Sequence, residues 1–334
     1  MICEISVIIP VYNADKYIGR SLDCLLAQTE ENIEIICVND GSTDNTEAVL
    51  NEYAERDKRI RMLQQENTGA GAARNLGLSV AKGKYTIFLD ADDMFENNML
   101  SELLNCAKTN NADSVICLAD SFSDLTGKTV PEEWSMPIKL LDGRTVFSPS
   151  EMSDCLFQLV QGWPWDKLFR TDYLKELGIA YPHLPNSHDL VFVFQALAFS
   201  SKIAIVNRTL VHRRIHNSSS ISNSRARSWD SPFRAVEMVR LAFDNKGVME
   251  TFKVSFYKWA LEFLLWHLNT LPSTEQKKCY LAMKHQWLPK IQFEQLPKNT
   301  YPHYQYRRLQ VIRSMPYWLY NTLRSIKRTM KRKD

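Results

Sequence analysis

Tyr85-Thr86-Ile87-Phe88-Leu89-Asp90-Ala91-Asp92-Asp93 runs from an apolar, β-type segment straight into three carboxylates within four positions. At roughly 5 Å and an effective dielectric of about 20, each pair of such charges repels by about 3 kcal/mol. A loop that keeps them together recovers that energy from a cation. Hard oxygen ligands suit Mg²⁺ or Mn²⁺, ions that keep several waters and share sites with substrate phosphates. Taken alone, the segment also reads as a solvated acidic turn; its surroundings select the cation reading.

Upstream, Ile5–Val11 and Ile33–Val38 are continuous apolar runs of the kind found in parallel strands covered on both faces. Ile18, Leu22, Leu25 and Leu26 between them have helical spacing. Asp44 with Glu47 suggests a capping box for a helix ending near Arg56. Ile60–Leu63 reads as a third strand, followed by a glycine-rich approach to another helix, Asn67-Thr68-Gly69-Ala70-Gly71-Ala72-Ala73-Arg74-Asn75. Downstream come a helix over Met99–Lys108 and a strand over Ser114–Leu118. This alternation predicts a doubly wound, mostly parallel α/β sheet whose ligands gather at the carboxyl ends of its strands. Tyr12-Asn13, Asp40, the Gly69/Gly71 loop and Asp90/Asp92 all fall at such ends. Each alone is ordinary loop chemistry. Together on one edge they argue for a nucleotide site, although the glycine loop is neither a dinucleotide fingerprint nor a P-loop.

Residues 120–150 suggest a hairpin or irregular insertion, and Ser150–Val160 a helix. Trp163-Pro164-Trp165-Asp166-Lys167 offers apolar faces with polar handles, which suit a sugar ring, although such tryptophans more often belong to a core. His188-Asp189 heads an apolar helix over Leu190–Phe199, where Asp189 also fits as favourable first-turn charge. A strand over Ile203–Val206 leads towards Arg214-Ile215-His216 and the serines at 218–220 and 222. From about Ser228 the pattern turns helical: Phe233–Phe243, Val248–Leu271, Glu275–His285 and a last helix after Pro316. Two domains are expected, 1–225 and 226–334.

The overall charge of +3 is too small to argue for nucleic acid. Residues 301–334 carry nine Lys or Arg and one acid, so this +8 leaves −5 for residues 1–300. The seven cysteines are scattered without a C-x-x-C pair, which fits a reducing compartment better than a disulfide framework. Ile5–Val11 lacks a basic flank and reads as a strand rather than a signal peptide, and no apolar run reaches the roughly 20 residues of a membrane span. A cytoplasmic protein is expected. In the last helix Leu319, Leu323, Ile326 and Met330 share a face, with Arg324, Lys327, Arg328 and Lys331 on another. Such a helix, opened by Tyr317, Trp318 and Tyr320, suits peripheral attachment to the anionic inner face of a membrane.

Over roughly residues 4–225 the chain resembles a family 2 glycosyltransferase of the GT-A fold. The resemblance rests on Val7-Ile8-Ile9-Pro10-Val11-Tyr12-Asn13, Val38-Asn39-Asp40-Gly41-Ser42-Thr43-Asp44, Asn67–Gly77, Phe88–Asp93 and Trp165–Arg170. Asp189, Arg214-Ile215-His216 and Ser220-Ile221-Ser222 complete it. It implies inverting transfer of a sugar from a nucleotide diphosphate donor, usually UDP-linked, to a hydroxyl. By the same likeness the donor meets Pro10, Tyr12, Asn13, Asp40, Asn67, Gly71, Arg74, Asp90, Ala91 and Arg214, with Tyr12 and Asp40 on the base. Asp92 and His216 hold the metal, Mn²⁺ or Mg²⁺, and Asp189 is the general base. Trp163, Trp165, Lys167 and His188 face the acceptor, a glycan or lipid-linked chain in surface polysaccharide synthesis. His188 departs from the family's usual Glu-Asp, and the segment after His216 is one residue longer than usual. Tuning of Asp189, acceptor contact and no role all stay open for His188. Rival readings are a nucleotidyltransferase of related fold and a non-catalytic partner subunit.

Overall fold

The computed structural model describes residues 3–322 apart from 125, 127, 132–134, 216–224, 294–295 and 297–299. The chain divides into two compact units, Met1–Ser219 and Ser220–Asp334.

The first unit opens with β1 (Ile5–Val11), α1 (Ile18–Leu26), β2 (Ile33–Asp40), α2 (Thr46–Arg56), β3 (Ile60–Gln65), α3 (Ala70–Val80) and β4 (Tyr85–Phe88). It continues through β5 (Met94–Phe95), α4 (Met99–Asn110), β6 (Ser114–Ser123), β7 (Lys128–Pro131), β8 (Val146–Phe147) and α5 (Leu156–Leu159). β9 (Lys167–Arg170), α6 (Thr171–Leu177), α7 (His188–Ala198) and β10 (Ile203–Arg214) complete it. One sheet runs β3-β2-β1-β4-β9-β6-β10-β5, with β7 on β6 and β8 on β10. β1 is parallel to β2 and β4, and β2 to β3, whereas β9 lies antiparallel between β4 and β6. The sheet is therefore mixed and mostly parallel. Every residue of β1 except Pro10 is buried, as helices on both faces require. Gly77 lets α3 press onto β1, since a Cβ there would sit 2.4 Å from Ile8 Cγ2.

Three expectations are corrected. No continuous helix covers Ser150–Val160: a 3₁₀ turn at Pro149–Met152 and the single turn of α5 stand there. Ser150, Ser153 and Asp154 compete for backbone bonds and interrupt the helical pattern. The capping box at Asp44 does not form. Asp44 Oδ1 accepts from Thr46 N–H (3.0 Å) and Oδ2 from Asp15 N–H (3.3 Å), so its carboxylate ties α2 to the loop after β1. The strand at Ile203 continues to Arg214, its register slipping between Val206 and Thr209 and again before Val211. These bulges carry exposed Asn207 and Arg208, which hid the continuation.

The second unit holds α8 (Ser231–Asn245), α9 (Met249–Thr270), α10 (Ser273–Ala282), α11 (Leu288–Ile291) and α12 (His303–Ser314), with a π-turn at Met283–Trp287 and a helical segment over 317–322. Phe233 of α8 stacks on Trp287 (5.5 Å, 18°), and Tyr280 Oη donates to Met315 O (3.0 Å). α12 escaped the sequence reading because only Gln305, Leu309 and Ile312 of it are buried. Most of the expected basic amphipathic helix lies outside the described residues. No described helix is long and apolar enough to cross a membrane.

Candidate active site

The loops at the carboxyl edge of β1, β2 and β3 are tied to one another. Tyr12, just beyond β1, is 50% exposed, and Pro10 beside it is half-buried. Asn13 follows in a left-handed conformation (φ 47°) that Asn tolerates. Its Oδ1 accepts from Thr43 N–H (2.8 Å), and its N–H donates to Ser42 Oγ (3.0 Å). Asp40 is buried, with Oδ1 accepting from Thr68 N–H (2.9 Å) and Gln65 Nε2 (2.6 Å), and Oδ2 from Gly69 N–H (2.9 Å). The carboxylate expected to read a base thus also staples the glycine loop, a task its sequence position does not reveal. Asn67 is exposed beside Gly41, where φ is +71° and a Cβ would lie 2.9 Å from Asn67 N.

At the end of β4 the three carboxylates form an acidic corner. Asp93 is buried: Oδ1 accepts from Arg214 N–H (2.9 Å), while Oδ2 has no hydrogen-bond partner among the described residues. Burial, then Asp90 and Asp92, push its carboxyl well above the usual range. Asp90 is raised too, by burial and by Asp92 and Asp189, against the pull of Arg74. Ser21 Oγ lies 3.0 and 2.7 Å from the carbonyls of Ala91 and Asp93 and holds the turn from α1.

Arg214, expected at the donor, is engaged within the protein. Its Nε donates to Asp92 O (2.9 Å), its guanidinium sits between Tyr17 and Phe122 (4.8 and 4.7 Å), and it pairs with Asp124. The side chain is 3% exposed, so it braces the corner from behind. His216 lies outside the described residues.

Beside the corner stands a knot around Arg74 of α3. Nη2 donates to Asp90 Oδ1 (2.7 Å) and Nη1 to Asp189 Oδ1 (2.9 Å), with His188 Nε2 3.0 Å from the same Nη1. Burial opposes the charges here. Even so, Asp189 and Asp90 raise the guanidinium, and Arg74 above all brings Asp189 down to about 2. Arg74 also lies over the Tyr181 ring (5.4 Å), which stacks on Phe192 of α7 (4.1 Å, 6°). Gly71 is buried, and a Cβ on it would meet Tyr181 Cβ at 3.2 Å and His188 Cδ2 at 3.3 Å.

Trp163 and Trp165 stack (4.8 Å, 12°), but Trp165 is buried and Lys167 is fully so. Lys167 Nζ donates to Trp163 O (2.8 Å) and Asp166 Oδ1 (2.5 Å), and burial pushes its pKa down. Trp165 and Lys167 therefore leave the acceptor role for the wall beneath the site. A buried ammonium must spend its hydrogen bonds on buried partners. Trp163, half-buried, keeps an edge towards solvent, while His188 is buried.

Among the described residues no three His, Cys, Asp or Glu side chains are grouped to hold a metal by themselves. The donors still fit a divalent ion. Asp92 is half-exposed beside the unpartnered Asp93 Oδ2, and hard cations of this kind take a carboxylate or two and complete their shell from phosphate and water.

Fold and acidic corner together define a GT-A-type α/β protein. The glycosyl transferase family 2 model matches residues 6–177. EpsH of Bacillus subtilis (strain 168) is 33% identical over 255 residues, covering 75% of this chain and 72% of that protein. Among solved structures, S. aureus TarS 1-349 in complex with UDP-GlcNAc aligns with a TM-score of 0.70 at 20% identity, over 89% of this chain and 82% of that one. The mannosyltransferase PcManGT from Pyrobaculum calidifontis, in complex with GDP-Man and Mn²⁺, aligns at 0.53 and 15% identity, over 87% and 84%. The chain belongs to glycosyltransferase family 2.

Proposed function

We propose that the chain transfers a sugar, with inversion, from a UDP-linked donor to a hydroxyl of a glycan or lipid-linked acceptor in surface polysaccharide synthesis. One observation carries this reading: a charge-unbalanced acidic corner and a carboxylate held ionised by Arg74 lie on one sheet edge. In this reading residues 1–225 form the catalytic domain and 226–334 a C-terminal module. Exposed Tyr12 stacks on the base, and Asn13, Asn67 and Gly71 shape the nucleotide loop. Asp92 holds Mn²⁺ or Mg²⁺ with the donor diphosphate. The ion, when bound, stabilises the charge that develops on the leaving diphosphate. Asp90, fixed by Arg74, orients the ribose or a metal-bound water. Asp189 sits at the head of α7 with its side chain 29% exposed, and no hydrogen bond to its Oδ2 is found among the described residues. That oxygen takes the acceptor proton as the hydroxyl attacks from the face opposite the diphosphate. Trp163 bounds the acceptor. A screen of nucleotide sugars for Mn²⁺-dependent release of nucleoside diphosphate tests the assignment, and silence across all donors would defeat it.

We also infer that the protein attaches peripherally to the cytoplasmic face of the membrane. Residues 220–334 hold 21 Lys or Arg against 8 Asp or Glu, and residues 1–219 hold 20 against 30. Trp318, 68% exposed, adds the aromatic anchor such helices use. Deleting residues 316–334 should move the protein from membrane to soluble fractions; an unchanged distribution counts against the attachment.

A further inference from the structure

His188 is buried in the knot, yet it is not merely filling space. An arginine has donors only. Nη1 of Arg74 lies 2.9 Å from Asp189 Oδ1 and 3.0 Å from His188 Nε2, so its two hydrogens serve one each. With Nε2 accepting that hydrogen, the imidazole proton lies on Nδ1 and the ring is neutral; the opposite tautomer would set Nε2–H on Asp189 Oδ1. The 3.2 Å approach of Nε2 to Asp189 Oδ1 is then a proximity without a proton between them. A protonated ring would instead set an N–H against a guanidinium.

The ring is buried. It packs on Gly71 and stands edge-on to Tyr181 (6.0 Å, 66°), which is itself stacked on Phe192. Its Nδ1 is buried with no hydrogen-bond partner among the described residues, a cost that an apolar side chain of similar size avoids. Among the described residues the donor within reach of Nε2 is Arg74.

We propose that His188 is a positioning residue: as a neutral acceptor it steers Arg74 Nη1 so that the guanidinium grips Asp189 by Oδ1 and turns Oδ2 towards the acceptor hydroxyl. The same guanidinium holds Asp90 through Nη2, so His188 sets the alignment of the base against the donor corner. A carboxylate in its place would put a third negative charge around one arginine. The charged and titratable groups facing the ring are Arg74 from α3, Asp189 from α7 and Tyr181 from the segment before α7. This inference rests on Asp189 acting as the base.

The test uses the full chain and His188→Gln, His188→Leu and Asp189→Asn variants. Nitrogen-15 spectra of histidine-labelled protein near pH 7, with the resonance identified by its loss in His188→Gln, should show the neutral tautomer protonated on Nδ1. An Nε2-protonated or doubly protonated ring overturns the proposal. Carbon-13 titration of the Asp189 carboxyl, assigned through Asp189→Asn, should move up by about one unit in His188→Leu and stay in place in His188→Gln, whose amide oxygen can accept from Arg74. An unmoved carboxyl in the leucine variant leaves only packing and also overturns it. Turnover of the nucleotide sugar that the donor screen identifies, with Mn²⁺, adds a third readout. The leucine variant should lose roughly tenfold in kcat with donor KM little changed, and glutamine should restore it. Undiminished turnover in Asp189→Asn would remove the base role itself, while the two spectra still judge the tie between His188 and Arg74.

Discussion

The acidic corner and the Arg74 knot lie side by side at one sheet edge, and they treat their carboxylates in opposite ways. In the corner, Asp90 and Asp93 are pushed up and Asp93 keeps an unpartnered oxygen. In the knot, Asp189 is held at about 2 although burial opposes it. The main difference is the Arg74 guanidinium, which is shared between Asp90 and Asp189. Arg74 reaches Asp90 and Asp189 but does not reach Asp93. The contrast teaches how a site separates two jobs given to one residue type: a corner short of positive charge invites a cation, and a knot supplied with one keeps its carboxylate ionised.

The largest expected effect comes from removing the knot's carboxylate. Asp189→Asn should lower transfer by roughly 10³-fold while calorimetric binding of UDP and Mn²⁺ persists, because a general base contributes on that scale. Next, Asp92→Asn attacks the corner alone. It should lower metal-dependent turnover by about 10²-fold and abolish the heat of Mn²⁺ with UDP; equal loss of binding in both variants would erase the distinction between the clusters. Arg74→Met should make the knot resemble the corner. It strips two half-buried carboxylates of their counter-charge, and urea unfolding should report a loss of about 1–2 kcal/mol once solvent screening is allowed for. Asp93→Asn should do the reverse for the corner, relieving repulsion and raising stability by about 1 kcal/mol in the same measurement.

The pH response follows from the sign of the shift at Asp189. Its folded pKa of about 2 lies below the ordinary value near 4, so its contribution is fully present above that ordinary value. It fades as pH falls towards 2. In Asp189→Asn this part of the acid-unfolding profile should flatten.

Much of the catalytic unit was legible in the chain because burial on both faces leaves a continuous apolar imprint, as in β1 and β2. The edge loops were legible for a related reason: a strand that stops in Asn, Asp or Gly announces a turn at the ligand-bearing edge. Contacts between distant residues leave no such trace. Nothing local distinguishes a lysine bound for solvent from Lys167, whose partners are the neighbouring Asp166 and a carbonyl inside the wall. Arg214 reads as a free cation until Tyr17, Phe122 and Asp124 are seen around it. Irregular backbone misleads too: the bulges of β10 broke the alternation that would have extended it beyond Val206, and the serines after Pro149 concealed a broken helix.

The vacancy left by the missing side chain of Gly71 is the room into which the His188 ring fits. Two positions 117 residues apart therefore share a single volume, and neither can be redesigned alone. An alanine at 71 asks Tyr181 Cβ and the imidazole to give way by a few tenths of an ångström, so libraries aimed at this pocket should vary positions 71, 181 and 188 together.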